Sequence, residues 1–334
     1  MLPVVVDSLD VSIRADVPGA AVLTEQLQIL NASAGDDVII TGLVLHSGIL
    51  VQDCAGPIHV QDCDAVRNSS VAAVPPLGNF WEVGLCGVGG STQSVMRSTK
   101  VTFTGCTFEG RHGGPAGIDG GPGDHGLRVE ASKVALYSCQ LLGGTGYIGG
   151  QSGGHGPFFS GSGGDGLRVV GAGSTVDHRD LTVLGGPGAP AEPTYPNSLA
   201  GCDGIDIRAD TGSDTTAITQ PDLTLVTPDF YRGSQAVQIQ VEGAPGATVA
   251  LLSSARAGWR PLGPLTGNLH IANPLRVTHL GVIPPSGTLH QSVVGVDSAL
   301  VGTFFNIHYQ AIAFHQGRRY LSQPRRVTNI ASSL

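Results

Sequence analysis

The sequence predicts an all-β protein: a solenoid of short stacked strands followed by a compact β-sandwich. Three observations carry that expectation. Helix signals are almost absent, because no long segment places apolar residues at i, i+3, i+4 and i+7, while short Val/Ile/Leu-rich runs bounded by Gly, Pro, Asp and Ser recur throughout. In the middle of the chain these runs repeat one another. Towards the C-terminus the repeats stop and strands of a different kind begin.

The repeat is visible without gaps. VTFTGCTFEG (Val101–Gly110), VALYSCQLLG (Val134–Gly143) and VDHRDLTVLG (Val176–Gly185) put Val101, Val134 and Val176 in one column and Cys106, Cys139 and Leu181 in another. A second word reads HGLRV from His125, DGLRV from Asp165 and DGIDI from Asp203, so that Leu127, Leu167 and Ile205 fall 40 and 38 residues apart. A period of this length means units that cover their apolar faces only by stacking on their neighbours. Alternation within the word places Leu127 and Val129 inward, and Arg128, Arg168 and Asp206 are expected to line the outside.

Glycine is the compositional anomaly: 28 of the 50 glycines lie between Gly105 and Gly204, mostly in inserts such as GGPAGIDGGPGDHG and GGTGYIGGQSGGHG. The expected role is to supply the positive-φ conformations of tight turns. Because the inserts recur at one place in the repeat, ordered loops protruding on one side are expected rather than flexible linkers.

The stretch VQDCAGPIHVQDC (Val51–Cys63) repeats four letters, and with His59 between two Asp-Cys pairs it invites a zinc reading. Set against the repeat, Cys63 instead occupies the inward column of Cys106 and Cys139. The two words then become consecutive strands, each ending at an Asp-containing corner. A Cys54–Cys63 disulfide stays open, since spacing does not give their separation.

Stacked words ending in Cys or an aliphatic residue and joined by GSGGDGLRV-like connections resemble right-handed parallel β-helix proteins of the pectin-lyase-like architecture, in particular Gly-rich secreted bacterial ones. The resemblance covers about Val22 to Ile218 and implies a fold rather than an activity. After Ala209–Leu223 come QAVQIQVEG, ATVALLSS, LRVTHLGVI, TLHQSVVGV, FFNIHYQAIAF and PRRVTNI, six strands that predict a small sandwich. This ending resembles the Ig-like domain found at the C-terminus of such secreted proteins. The expected division is residues 1–218 and 219–334. The resemblance implies an extracellular or cell-surface location, with a leader that this chain does not carry.

A net charge of -8 and scattered arginines exclude a nucleic-acid footprint, and no run approaches the roughly 18 apolar residues of a membrane helix. Glycosidases of the resembling family carry Asn-x-Asp, Asp-Asp, Gly-His-Gly and Arg-x-Lys in order. Here Asp36-Asp37 and Gly154-His155-Gly156 lie over a hundred residues apart, and Arg-x-Lys is missing. A lyase-like site would draw on Asp177, His178, Arg179 and Asp180, next to Arg168, with calcium as the alternative cofactor. The column His125, Asp165, Asp203 is the metal candidate, although Asp-Gly is a turn signal in its own right. His112, His125 and His155 all lie in the Gly-rich inserts. Trp81, Tyr147, Phe158, Phe159 and Tyr195 are the aromatics able to stack on sugar, and aromatics total only 5%.

Two functions of different class follow. The first is a secreted or cell-surface structural or adhesive module without a catalytic site or resident cofactor, whose partner is a polysaccharide or another surface component. The alternative is a carbohydrate-active protein, as a polysaccharide lyase, glycosidase or glycan binder, with its site on the outer face of the coil.

Overall fold

The computed structural model describes residues 4–7, 11–15, 19–65, 91–116, 119–148, 159–191, 198–218, 223–228, 230–232, 235–261, 268–272, 276–294 and 304–330. Every regular element among them is a β-strand, so no helix is long and apolar enough to cross a membrane. The chain divides into two compact units, Met1–Ala217 and Ile218–Leu334.

The first unit contains three parallel sheets that the chain visits in turn. One pairs Val4–Asp7, Leu27–Leu30, Ile49–Gln52, Ser94–Met96, Leu127–Glu130, Leu167–Val170 and Ile207–Ala209 in that order. The second pairs Val11–Arg14, Val38–Thr41, Ile58–Gln61, Thr99–Thr104, Lys133–Tyr137, Thr175–Arg179 and Asp214–Ala217. The third pairs Ala21–Leu23, Leu43–Leu45, Asp64–Ala65, Thr107–Glu109, Gln140–Leu142 and Thr182–Leu184. Each strand thus lies beside its counterpart from the neighbouring repeat, a pattern compatible with a parallel β-helix. Leu27, Ile49, Leu127 and Leu167 of the first sheet, Ile58, Val101, Phe103, Val134 and Val176 of the second and Leu45, Phe108 and Leu141 of the third share one apolar core.

Two corners repeat with the strands. Leaving the first sheet, Asn31, Asp53, Arg97, Ala131 and Gly171 have positive φ; leaving the second, Gly42, Asp62, Gly105, Ser138 and Asp180 do. The doubled VQDC is therefore architecture: Asp53 and Asp62 make equivalent corners in one repeat. Asn and Asp tolerate the left-handed region better than most residues. At the first corner Arg97 Nε and Nη2 clamp the Asp53 carboxylate at 2.7 and 2.9 Å.

Immediately after the second corner Cys63, Cys106 and Cys139 point inward, and each thiol donates to the carbonyl two residues back, Gln61, Thr104 and Tyr137, at 3.3, 3.4 and 3.3 Å. Cys54 and Cys63 are free and buried, so no disulfide joins them. Burial pushes the Cys63 thiol up to about 12. Cys54, Cys63, Cys106 and Cys139 are accordingly expected to resist a thiol reagent in the native protein and to label on unfolding, as peptide mass spectrometry would show. Rapid native labelling of any of the four would contradict this packing.

The described parts of the glycine inserts, which lead from the third sheet and back to the first, are ordered against one another. Segments 110–114, 120–126, 143–148, 159–166, 185–191 and 198–206 bond to one another through their backbones. One run of hydrogen bonds passes from Gly204 N–H to Gly186, Gly164, Gly144, Asp124 and Arg111 carbonyls, with the N–H of each inner member donating to the next at 2.7–2.9 Å. A second passes in the same way from Gly201 to Ala189, Gly161, Tyr147, Gly121 and Gly114 at 2.8–3.0 Å. Outgoing segments bond to outgoing ones (Gly113 to Thr145, Gly146 to Pro187) and returning to returning (Gly123 to Ser162, Gly163 to Cys202), which makes a two-layered lattice.

Its segments show a three-residue recurrence of inward glycine, as in Gly120/Gly123/Gly126 and Gly161/Gly164. Their hydrogen bonds run between segments rather than within them, as expected of polyproline II chains. None of the described glycines in these segments has positive φ. The expected turn role is corrected: a Cβ at Gly144 would strike the Arg111 carbonyl and one at Gly164 the Asp124 carbonyl, so glycine is there to let backbones touch.

In the second unit the six expected strands appear as Ala236–Glu242, Thr248–Ser254, Arg276–Val282, Thr288–Val294, Phe304–His315 and Arg325–Ile330. Five shorter ones accompany them: Thr224–Val226, Phe230–Arg232, Ala257–Pro261, Asn268–Ile271 and Arg318–Leu321. A three-stranded antiparallel sheet and a six-stranded, mainly antiparallel sheet share a core in which Leu225, Val237 and Ile239 meet Val249, Leu251, Tyr309 and Val327.

Candidate functional site

Charged side chains gather on the outer face of the first sheet, beside the glycine lattice. Register sets them there: Leu127, Leu167 and Ile207 are partners, and hence Arg128, Arg168 and Arg208 form the next column. This departs from the expected frame, which put Ile205 inward and Asp206 outward. Ile205 is 49% exposed, and Asp206 Oδ1 accepts the Gly185 N–H at 2.9 Å. A two-residue shift preserves strand alternation, so the pattern of DGIDIRA fits both frames and cannot choose between them. Arg208 was the residue missed; its signal was the apolar-Arg-apolar triplet IRA, equivalent to the two LRV words.

Arginines stacked about 4.8 Å apart would repel one another. Carboxylates interleave with them. Arg128 Nη2 lies 2.8 Å from Glu130 Oε2, Arg168 Nη2 2.8 Å from Asp210 Oδ1, and Arg208 Nε 3.2 Å from Asp165 Oδ2. The Arg128 and Arg208 side chains are 36% and 34% exposed and the central Arg168 17%.

Beneath the ladder, Asp165 and His125 are both buried. Asp165 Oδ1 accepts the Ile205 N–H at 2.9 Å, and its own N–H donates to His125 Nδ1 at 3.0 Å. An Nδ1 that accepts carries no proton. Burial, and then the charges of Arg168, Arg128 and Arg208, push the His125 pKa down to about 3. The 3.5 Å approach of His125 Nδ1 to Asp165 Oδ2 is thus a contact of neutral imidazole with carboxylate and not an ion pair. Asp165 Oδ2 is left facing Arg208 Nε and, at 4.0 Å, Arg168 Nη1 without the alignment of a hydrogen bond.

The expected metal column is not assembled. His125 and Asp165 meet, but the residue at the third level is Ile205. Asp203 is exposed, and its Oδ1 accepts the Gly188 N–H at 2.8 Å within the lattice. Among the described residues no three His, Cys, Asp or Glu side chains come together as a metal site.

The expected catalytic group is dispersed as well. His178 pairs with Leu136, which pairs with Phe103, so it stands in the inward column, and burial lowers its pKa. Asp177 takes the opposite face, in register with Ala135 and Thr216. Arg179 is buried, its guanidinium 5.7 Å from the centre of the Tyr137 ring and its Nε 3.3 Å from Asp180 Oδ2. Asp180 is a corner residue. Arg168 belongs to another sheet and engages Asp210 and Asp165.

Asp36 closes a turn, its Oδ2 accepting the Ser33 N–H at 2.6 Å. His112 Nδ1 accepts the Thr145 N–H at 3.1 Å, a lattice contact separate from His125. Tyr147 is 43% exposed on the lattice, and Phe159 pairs with Leu199 by an isolated parallel bridge. His155 with its flanking glycines, Trp81, Phe158 and Tyr195 lie outside the described residues.

No protein-family model matches the chain, and no curated protein matches it.

Proposed function

We propose that Met1–Ala217 is a right-handed parallel β-helix of the pectin-lyase-like architecture, that Ile218–Leu334 is an Ig-like β-sandwich, and that the whole is a secreted or cell-surface adhesive module rather than an enzyme. Right-handedness follows from the strong preference of crossover connections between parallel strands. A disulfide at Cys202 is what an oxidising compartment permits.

The observation that carries the non-catalytic reading is the fate of the candidate acids and bases. His125 is buried and neutral, His178 faces the core, Asp180 forms a corner, and Asp203 binds lattice backbone. Catalysis by a carboxylate pair needs two free groups facing one substrate bond, and these side chains are occupied in holding the scaffold. The lattice and the three-sheet core make that scaffold stiff, which suits a surface that presents groups at fixed spacing.

Incubation with a panel of acidic and neutral polysaccharides, with and without calcium, is expected to release neither new reducing ends nor unsaturated sugars. Calcium-dependent turnover would sink the adhesive reading. The ladder of Arg128, Arg168 and Arg208 is the one feature that favours the carbohydrate-active alternative, in its binding form.

A further inference from the structure

We infer that the last level of the glycine lattice is a surface to which the lattice end of a second copy of the chain can add, and that Asp203 and Asp206 are caps that hold it closed. The inference goes beyond the adhesive reading and stands without it. Register, space and exposure each point to it.

In register, the lattice repeats by bonding the N–H groups of each outgoing segment to the next. Gly110 and Gly113 donate to the Leu142 and Thr145 carbonyls at 2.7 Å, and Gly143 and Gly146 to the Leu184 and Pro187 carbonyls at 2.8 and 3.0 Å. Gly185 and Gly188 come next in these two columns. No further outgoing segment follows them among the described residues: from Asp206 the chain passes into Ile207–Ala209, and the third sheet stops at Thr182–Leu184. Asp206 Oδ1 accepts from Gly185 at 2.9 Å and Asp203 Oδ1 from Gly188 at 2.8 Å. Two carboxylates thus take the place of two backbone carbonyls.

Space gives the same answer. In the returning segments Gly123 donates to Ser162, Gly163 to Cys202, Gly126 to Asp165 and Gly166 to Ile205, so the columns read Gly123, Gly163, Asp203 and Gly126, Gly166, Asp206. Inside the lattice these positions admit no side chain. A Cβ at Gly123 would strike the Gly144 carbonyl of the following outgoing segment, one at Gly163 the Gly186 carbonyl, and one at Gly166 the Val183 side chain and Leu184 carbonyl. Glycine gives way to aspartate at the level where that following segment is missing. The side chains of Asp203 and Asp206 therefore fill the volume that a further segment would enter, as well as taking its hydrogen bonds.

At the same level Leu184, Leu199 and Ile205 are 52%, 45% and 49% exposed. Stacked repeats and open edges with exposed apolar groups associate unless polar terminal residues protect them. A second copy presents the same three side chains and the same segment backbone, so a two-fold contact between lattice ends is self-complementary and continues the packing already present inside the lattice. In the capped protein four carboxylates would meet there, and the N–H groups of both copies are already taken.

The test is sedimentation equilibrium of wild type, Asp203→Gly/Asp206→Gly and Asp203→Asn/Asp206→Asn. The glycine pair restores the interior columns and is expected to double the wild-type mass. The asparagine pair keeps an acceptor and its bulk without the charge, and is expected to keep the wild-type mass. Adding Leu199→Glu to the glycine pair is expected to return it to the wild-type mass. An unchanged mass in the glycine pair overturns the inference. Equal association of the asparagine pair overturns it too, because charge repulsion alone then keeps the copies apart, and association insensitive to Leu199→Glu places the contact on another surface.

Should the glycine pair fail to fold, the single variants carry the test. Asp203→Gly is expected to speed amide exchange at Gly188, and Asp206→Gly at Gly185, by about ten- to a hundredfold, the loss of one hydrogen bond to a charged group. Gly186 and Gly204 are expected to stay protected in both, and each variant to self-associate less strongly than the pair. Exchange at Gly185 and Gly188 that the substitutions leave unchanged, or single variants that keep the wild-type mass, overturns the inference.

Discussion

Gly144→Ala is expected to destabilise the first unit by about 3 kcal/mol or more, or to prevent its folding, whereas Gly114→Ala should change stability by no more than about 0.5–1 kcal/mol. Both glycines belong to the same lattice, and both would count as loop residues by sequence. Their surroundings differ. A Cβ on Gly144 would meet the carbonyl oxygen and carbon of Arg111 and the oxygen of Gly110, all backbone, and the Arg111 oxygen already accepts the Asp124 N–H, so it cannot shift alone. A Cβ on Gly114 would meet nothing within 4 Å. Neither residue has positive φ, so the contrast isolates close approach from backbone strain. Chemical denaturation of the two variants checks it, and equal, small effects would show that the inserts give way freely.

Acid should begin to destabilise the first unit above the range in which carboxylates titrate, with His125 as the main contributor and His178, its pKa also lowered by burial, adding to the same limb. The pKa of His125 is about 3 in the folded protein against 6.5 for an ordinary histidine, lowered first by burial and then by Arg168, Arg128 and Arg208. The unfolded chain therefore binds a proton that the folded chain refuses, and stability falls as pH drops from about 6.5 towards 3. The contribution is fully present above that window. The difference corresponds to an upper bound of roughly 4–5 kcal/mol.

His125→Asn keeps an acceptor for the Asp165 N–H and cannot be protonated, so it is expected to flatten this limb of the stability profile while leaving the neutral-pH value within about 2 kcal/mol. Asp53, held low at about 2 by Arg97, acts in a lower window and loses its contribution only as pH falls from 3.8 through about 2, below most of the His125 limb. A profile with the same slope between pH 6.5 and 4 in wild type and His125→Asn would contradict the role given to the histidine.

Much of the first unit was legible because its information is local and periodic. Val101, Val134 and Val176 are partners as the gapless alignment requires, and Cys63, Cys106 and Cys139 stand in one inward column. The corner role of Asp53 and Asp62 was also readable, since positive φ selects a few residue types.

Illegible features depend on relations that a pattern does not encode. The frame of DGIDIRA is degenerate under a two-residue shift, and this hid Arg208 and misplaced Asp203 and Asp206. A glycine required for touching backbones looks the same as one required for a turn, so the inserts were expected to protrude as loops. Alternation put Asp177 and one of its neighbours outside without saying which; the inward place of His178 and the burial of Arg179 against Tyr137 come from neighbours in the adjoining repeat. In the second unit six strands were evident, and the five others are short.

In their described segments the glycine-rich inserts form one hydrogen-bonded lattice continuous with the stacked sheets. Amide hydrogen exchange tests it most directly. The N–H groups of Gly144, Tyr147, Gly161, Gly164, Gly186 and Gly204 each donate to a backbone carbonyl of a neighbouring segment. They are predicted to exchange at least about a thousandfold more slowly than in an unstructured peptide, in step with core amides such as Val134 and Leu167. Exchange of these six amides at peptide rates, with the sheet amides still protected, would show that the inserts are flexible linkers and would contradict the account.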